Sequence, residues 1–246
     1  MKKILRFLFI TSITISAILF NSCKSDEDKA SYGLSKVTTF PVLSLVDEGE
    51  IVVVLKGAQY TEPGYSAFVG EDDITGTVVV GGSVNSNVEK MYVLTYTATN
   101  EEGYSVTKTR NVLVADTPNP TTDNLAGSYT SSITRVNNGV PGKRGPYTQS
   151  LTGLGHGLYY VQDLLGGWYW IGSNYGLGYA YDGVIYVNNS GAVSLKWANE
   201  TAGWGDGAIF VDAAGNLYDA GTHTITFSAQ MGSVNYMTFN VTLVKQ

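Results

Sequence analysis

Met91-Tyr92-Val93-Leu94-Thr95-Tyr96-Thr97-Ala98 is the stretch that decides the fold class. With a period of two, Tyr92, Leu94, Tyr96 and Ala98 fall on one side and Met91, Val93, Thr95 and Thr97 on the other, as in a strand with one covered face. Asn100-Glu101-Glu102-Gly103 supplies turn residues, and Tyr104 to Val114, rich in Thr and Val, runs back, so the segment predicts a β-hairpin. Upstream, Ile51-Val52-Val53-Val54-Leu55 is a short β-branched run of the kind that forms a buried strand.

Further segments in register with this hairpin carry a family likeness. Glu62-Pro63-Gly64-Tyr65-Ser66-Ala67 and Asp72-Asp73-Ile74-Thr75 precede it, and Arg110-Asn111-Val112-Leu113-Val114 closes it. Residues 38–115 thereby resemble the bacterial immunoglobulin-like repeat of exported proteins. The resemblance implies a sandwich of about seven strands that serves as a spacer or interaction module, without catalytic residues.

Ala115-Asp116-Thr117-Pro118-Asn119-Pro120-Thr121-Thr122 disfavours helix and central strand alike, and residues 116–122 read as a linker. Composition then changes. All four tryptophans and 20 of the 29 glycines lie in residues 123–246, with no sustained helical period. Short glycine-broken strands predict a second β-sandwich or small β-barrel, and Thr222–Ser228 and Met237–Val244 alternate well enough to close a sheet. A short helical turn is expected near Val161-Gln162-Asp163-Leu164-Leu165. Gly127-Ser128-Tyr129-Thr130-Ser131, Gly155 to Asp163, Gly166-Gly167-Trp168-Tyr169, Leu217-Tyr218-Asp219 and Thr242-Leu243-Val244 occur in an order that resembles a domain of unknown function in Bacteroidetes surface lipoproteins. There it sits behind the same immunoglobulin-like module, in proteins linked to glycan-utilisation loci.

The amino terminus fixes the compartment. Lys2, Lys3 and Arg6 precede the apolar run Phe7–Phe20, which is too short to span a bilayer comfortably and has the flanks of a cleaved export signal. Asn21-Ser22-Cys23 resembles the lipobox of bacterial lipoproteins, with Phe20 where leucine is usual, so residues 1–22 read as the signal peptide and Cys23 as the lipid attachment site. Lys24-Ser25-Asp26-Glu27-Asp28 resembles the acidic signal that routes Bacteroidetes lipoproteins to the outer face of the outer membrane, with Ser25, Asp26, Glu27 and Asp28 as its residues. Residues 23–37 form a polar tether. As the sole cysteine, Cys23 leaves no internal disulfide, and stability falls to buried cores. The chain carries 15 Lys+Arg against 21 Asp+Glu, a net charge of −6. Removing three N-terminal cations brings the mature chain to about −9, which argues against a nucleic-acid partner.

No motif in the mature chain specifies a reaction or a cofactor. His156 and His223 lack the companions of a zinc site or hydrolytic triad, and Asp212-Ala213-Ala214-Gly215-Asn216 lacks the alternating ligands of a calcium loop. Asp163, Asp182, Glu200, Asp206, Asp212 and Asp219 are available carboxylates, but no pair reads as the two acids of a glycosidase. Tyr-rich strands also describe outer-membrane barrels, but these segments are short and interrupted. The strongest constellation is aromatic: Trp168, Tyr169, Trp170, Tyr175, Trp197 and Trp204 are candidates for stacking on sugar rings. Asp163, Asn174, Asp182, Asn199 and Asp206 are candidates for bonding hydroxyls. On an alternating strand Trp168 and Trp170 share one face and Tyr169 takes the other, so at least one set belongs to the core.

The expectation is therefore an all-β surface lipoprotein that binds extracellular polysaccharide without cleaving it, beside an outer-membrane importer. The alternatives are a structural or adhesive protein-interaction role and, less favoured, a glycoside hydrolase.

Overall fold

The computed structural model describes residues 38–211, 213–232 and 237–246. Cys23 and the acidic residues that follow it lie outside the described residues, as does Asp212. No α-helix occurs among the described residues, and the chain is all-β.

The first module is an immunoglobulin-like sandwich of seven strands: β1 (Val42–Leu45), β2 (Ile51–Leu55), β3 (Tyr65–Val69), β4 (Asp72–Asp73), β5 (Val79–Gly81), β6 (Lys90–Thr99) and β7 (Ser105–Ala115). One sheet has the order β1-β3-β4 and the other β2-β7-β6-β5, with β2 parallel to β7 and the remaining pairs antiparallel. Tyr92, Leu94, Tyr96 and Ala98 of β6 point inward and pack with Leu43, Leu45, Ala67, Val112 and Val114, as their alternation requires.

The Glu-Pro-Gly motif also finds its reason here. The buried Arg110 guanidinium ion-pairs with Glu62 and donates to the carbonyls of Val46 at 2.7 Å and Gly64 at 3.0 Å, tying the turn before β3 to β7. Asn100 organises the hairpin turn: its side-chain oxygen accepts the N–H groups of Glu102 and Tyr104, while its amide donates to Thr39 O.

The second module contains β8 (Gly127–Asn137), β9 (Val140–Gly155), β10 (Leu158–Val161), β11 (Gly183–Val187), β12 (Val193–Ala198), β13 (Ala208–Val211), β14 (Leu217–Asp219), β15 (Thr224–Met231) and β16 (Met237–Lys245). They form one antiparallel sheet of order β12-β11-β10-β9-β8-β16-β15-β13, with β14 also on β15. The sheet curls into a nearly closed barrel. Its ends meet where Tyr218 N–H donates to Gly191 O at 2.7 Å and Val193 N–H to Asn216 O at 2.9 Å, whereas β12 and β13 are not paired. Residues 213–216 lie off the ladder between β13 and β14, and the buried Asn216 side chain accepts the Ser228 N–H at 2.8 Å, standing in for the missing backbone partner. Tyr129, Ile133, Leu151, Ile185, Phe227, Phe239 and Val241 are among the side chains that fill the interior.

The segment after β10 departs from expectation. Residues 164–173 form successive turns, neither the helical turn expected near Val161–Leu165 nor an alternating strand through Trp168–Trp170. Gly166 and Gly167 take φ values of 70° and 97°, and a Cβ on Gly166 would lie 2.6 Å from Ile133 Cγ1. That close, left-handed turn is open to glycine alone and breaks both regular structures. Asp163 holds the turn: its fully buried carboxylate accepts the N–H groups of Leu165 at 2.8 Å, Gly167 at 2.9 Å and Tyr181 at 3.1 Å.

The modules share a third apolar cluster. Leu113 and Ala115 of β7, with Ile51, Val53 and Met91, pack on Leu158, Val184, Tyr186, Tyr160 and Trp197 of the barrel. Residues 112–115 are accordingly buried in succession instead of alternately. Glu89 receives Lys56 from its own module and Lys196 from the barrel, each at 3.1 Å. The linker is bonded down as well: Tyr186 donates its hydroxyl to Pro118 O, Thr121 N–H donates to Val187 O at 3.0 Å and Asn189 N–H to Asn119 O at 2.8 Å.

Candidate ligand-binding site

Two irregular segments meet at one end of the barrel. The first runs from the Asp163 turn to β11 and carries Trp168, Tyr169, Trp170, Tyr175 and Tyr179; the second joins β12 to β13 and carries Trp204. Gly203 N–H donates to Gly178 O at 2.8 Å and locks the two together. Gly203 has φ 56°, and a Cβ there would lie 2.5 Å from the Tyr181 hydroxyl, so the backbone approaches that ring as only glycine allows.

The result is an aromatic cluster open to solvent. Trp204 packs edge-on against Tyr169 at 4.9 Å, Tyr179 at 5.0 Å and Tyr175 at 6.2 Å between ring centres, and Tyr175 stacks on Tyr169 at 6.1 Å. Tyr175 is 54% exposed and Trp204 53%, whereas Tyr169, at 8%, forms their floor. Beneath them the Tyr181 hydroxyl donates to Asp206 at 2.8 Å, and burial together with that carboxylate pushes its pKa up. Burial also raises Tyr169, against a hydrogen bond and positive charge from Arg135 and further charge from Arg144.

Of the six aromatic candidates, the structure brings together Tyr169, Tyr175 and Trp204. Trp168 is 3% exposed and belongs to the barrel core, between Phe239 and two arginines, because the glycine turn folds it inward. Trp197 is half-buried in the contact between modules. Trp170 is half-buried and shares no ring contact with the cluster. Tyr179 belongs to the cluster but was not a candidate; its place in the glycine-rich run Gly176-Leu177-Gly178-Tyr179-Ala180, four residues after Tyr175, was the available signal.

The polar candidates divide similarly. Asp163 is corrected to a structural residue, since its oxygens are taken by the turn it organises. Asp182 accepts the Tyr160 hydroxyl at 3.0 Å and the Asn199 amide at 2.9 Å, and Asn199 in turn caps Thr201. Asn174 is exposed in the Tyr175 loop with φ 57°. Asp206 and Glu200 line a separate groove of about 570 Å³ beside Trp197, where the unpaired strands β12 and β13 face the first module. Asp219 is a turn residue that accepts Gly221 N–H and the Thr222 hydroxyl, which hold its carboxyl below the usual range. His156 and His223 occupy turn positions with φ 53° and 50°, and among the described residues no three His, Cys, Asp or Glu side chains are grouped to hold a metal ion.

Comparison with known proteins supplies the class. The chain matches, over residues 46–114, the family model of the bacterial surface protein Ig-like domain. It belongs to the family defined by a C-terminal domain whose model matches residues 118–245, over half of the chain. The crystal structure of a lipoprotein from Bacteroides thetaiotaomicron is 29% identical and is aligned over 84% of this chain and all of the other, with a TM-score of 0.45. A Bacteroides ovatus structure of unknown function is 14% identical over 62% of this chain and 56% of its own, with a TM-score of 0.28. No curated protein matches the chain.

Proposed function

We propose that this surface protein is a non-catalytic glycan-binding lipoprotein, anchored through Cys23 to the outer membrane, facing the cell exterior and serving a polysaccharide importer. The observation that carries the reading is the cluster of Tyr175, Tyr179 and Trp204 at the open end of the barrel, more than half exposed at two of its three rings and preset by the Gly203–Gly178 bond. Apolar C–H faces of sugar rings gain contact area on such rings, and preset loops lower the ordering cost of binding. The sequence of residues 1–28 supports the anchor and its outward face.

Affinity electrophoresis of the purified protein through gels with different polysaccharides tests the reading. Retardation by at least one polymer is expected, and Trp204→Ala or Tyr175→Ala should weaken it by at least about tenfold, ~1.4 kcal/mol, with unchanged melting. No retardation across a broad panel would sink the proposal. Leu177, 63% exposed between Tyr175 and Tyr179 in sequence, favours a second reading in which the same surface contacts a protein. Under that reading Leu177→Asp abolishes capture of a protein partner and no glycan is bound.

A further inference from the structure

Directly behind the aromatic cluster the barrel carries two arginines on one indole. Arg135 of β8 and Arg144 of β9 place their guanidinium carbons 4.6 and 4.4 Å from the Trp168 ring. Gly142 sits opposite Arg135 in the β8–β9 ladder, and the edge of the Trp168 ring lies against it, where a Cβ would make an ordinary 3.6 Å contact. Arg144 is fixed by donating to Trp168 O and to the Ser173 hydroxyl, both at 2.7 Å. Arg135 brings its positive charge to Tyr169, whose ring is the floor under Trp204 and Tyr175. The arginine pair and the exposed aromatics are therefore joined through one tyrosine.

Charge is what sets this pair apart. Among the described residues the ion pairs use Lys56, Lys108, Arg110 and Lys196, and neither Arg135 nor Arg144 has a carboxylate partner. Two half-buried cations on one ring repel each other, and the cation–π contacts offset part of that cost without neutralising either charge. Arg135 Nε and Trp168 Nε1 are buried donors without an acceptor among the described residues. In a chain with a net charge of −6, an unneutralised cationic pair is a local exception, not part of a basic surface. Guanidinium groups present planar forks of donors that match carboxylate and sulfate oxygens.

We infer that the barrel end takes an acidic saccharide, with sugar rings on Tyr175 and Trp204 and a carboxylate or sulfate group at Arg135 and Arg144. This rests on the glycan reading above and narrows its ligand class. The overall negative charge repels polyanions in general, so selectivity for an acidic polymer has to come from this pair.

The test compares matched polymers by titration calorimetry with the full-length protein: polygalacturonate against its methyl ester, and dextran sulfate against dextran. Binding to at least one acidic member, at least about tenfold tighter than to its neutral counterpart and weakening with salt, is expected; which pair discriminates tells carboxylate from sulfate. Arg135→Gln and Arg144→Gln should each remove that preference. Lys143→Gln, on the outward face of the same strand, should leave it intact, and near-ultraviolet dichroism reports whether the Trp168 environment survives each change. Equal binding of acidic and neutral members, or a preference that survives both arginine changes or falls equally with Lys143→Gln, overturns the inference while leaving glycan binding standing. Binding of neither member of either pair, with other polysaccharides retarded in gels, also overturns it; no binding to any glycan removes both readings.

Discussion

Asp163 shows how one side chain can serve architecture where chemistry was expected. Burial pushes its carboxyl up to about 6, against three N–H donors that favour the charged form. The folded protein thus holds this proton more tightly than the unfolded chain, whose aspartates titrate near 3.8. Its contribution to stability is complete below about pH 4 and is lost as pH rises toward about 6. Asp163→Asn should remove that component of the pH dependence in chemical unfolding. It should also cost about 1–3 kcal/mol at neutral pH, because an amide N–H₂ cannot accept from both sides of the turn. The residue type was legible in the sequence as a carboxylate beside aromatics. Its burial was not, because it depends on the Tyr181 N–H arriving from eighteen residues away.

At the scale of elements, legibility follows periodicity. β6 and β7 were readable because a hairpin with one covered face writes its burial into alternate residues. Residues 164–173 were not, because glycines at positive φ let the chain turn without any repeating pattern, and the turn carried Trp168 inward. Tyr175 and Trp204 were identified as types, but their meeting depends on a tertiary bond between Gly203 and Gly178. Gly203→Ala tests that join. The new methyl group would strike the Tyr181 ring in a left-handed conformation, so a loss of about 1–3 kcal/mol is expected. Trp204 fluorescence should shift to the red in the variant as the loop leaves its neighbours.

At the scale of the whole molecule, the contact between modules couples their stability. Tyr186 is 5% exposed, lies in the shared cluster and bonds the linker. Calorimetry of the native protein should give one transition. Tyr186→Ala, which removes a buried ring at a typical cost of about 3–5 kcal/mol, should resolve it into two. The sequence marked the proline-rich junction as a division between modules through composition alone. That both faces of Val112-Leu113-Val114-Ala115 would be covered was implicit in its unbroken apolar run, but the partner surface on Leu158, Val184 and Tyr186 was not.

The bonded linker has a mechanical meaning. With Pro118 to Thr121 stitched to the barrel and Glu89 clasped from both sides, no swivel lies between the two modules. The barrel's open end therefore keeps a constant bearing relative to the first module, like a lamp welded to its post instead of hung from it. A long polymer held there would be presented at one fixed angle, and any search for the polymer must be made by the two modules moving as a single arm.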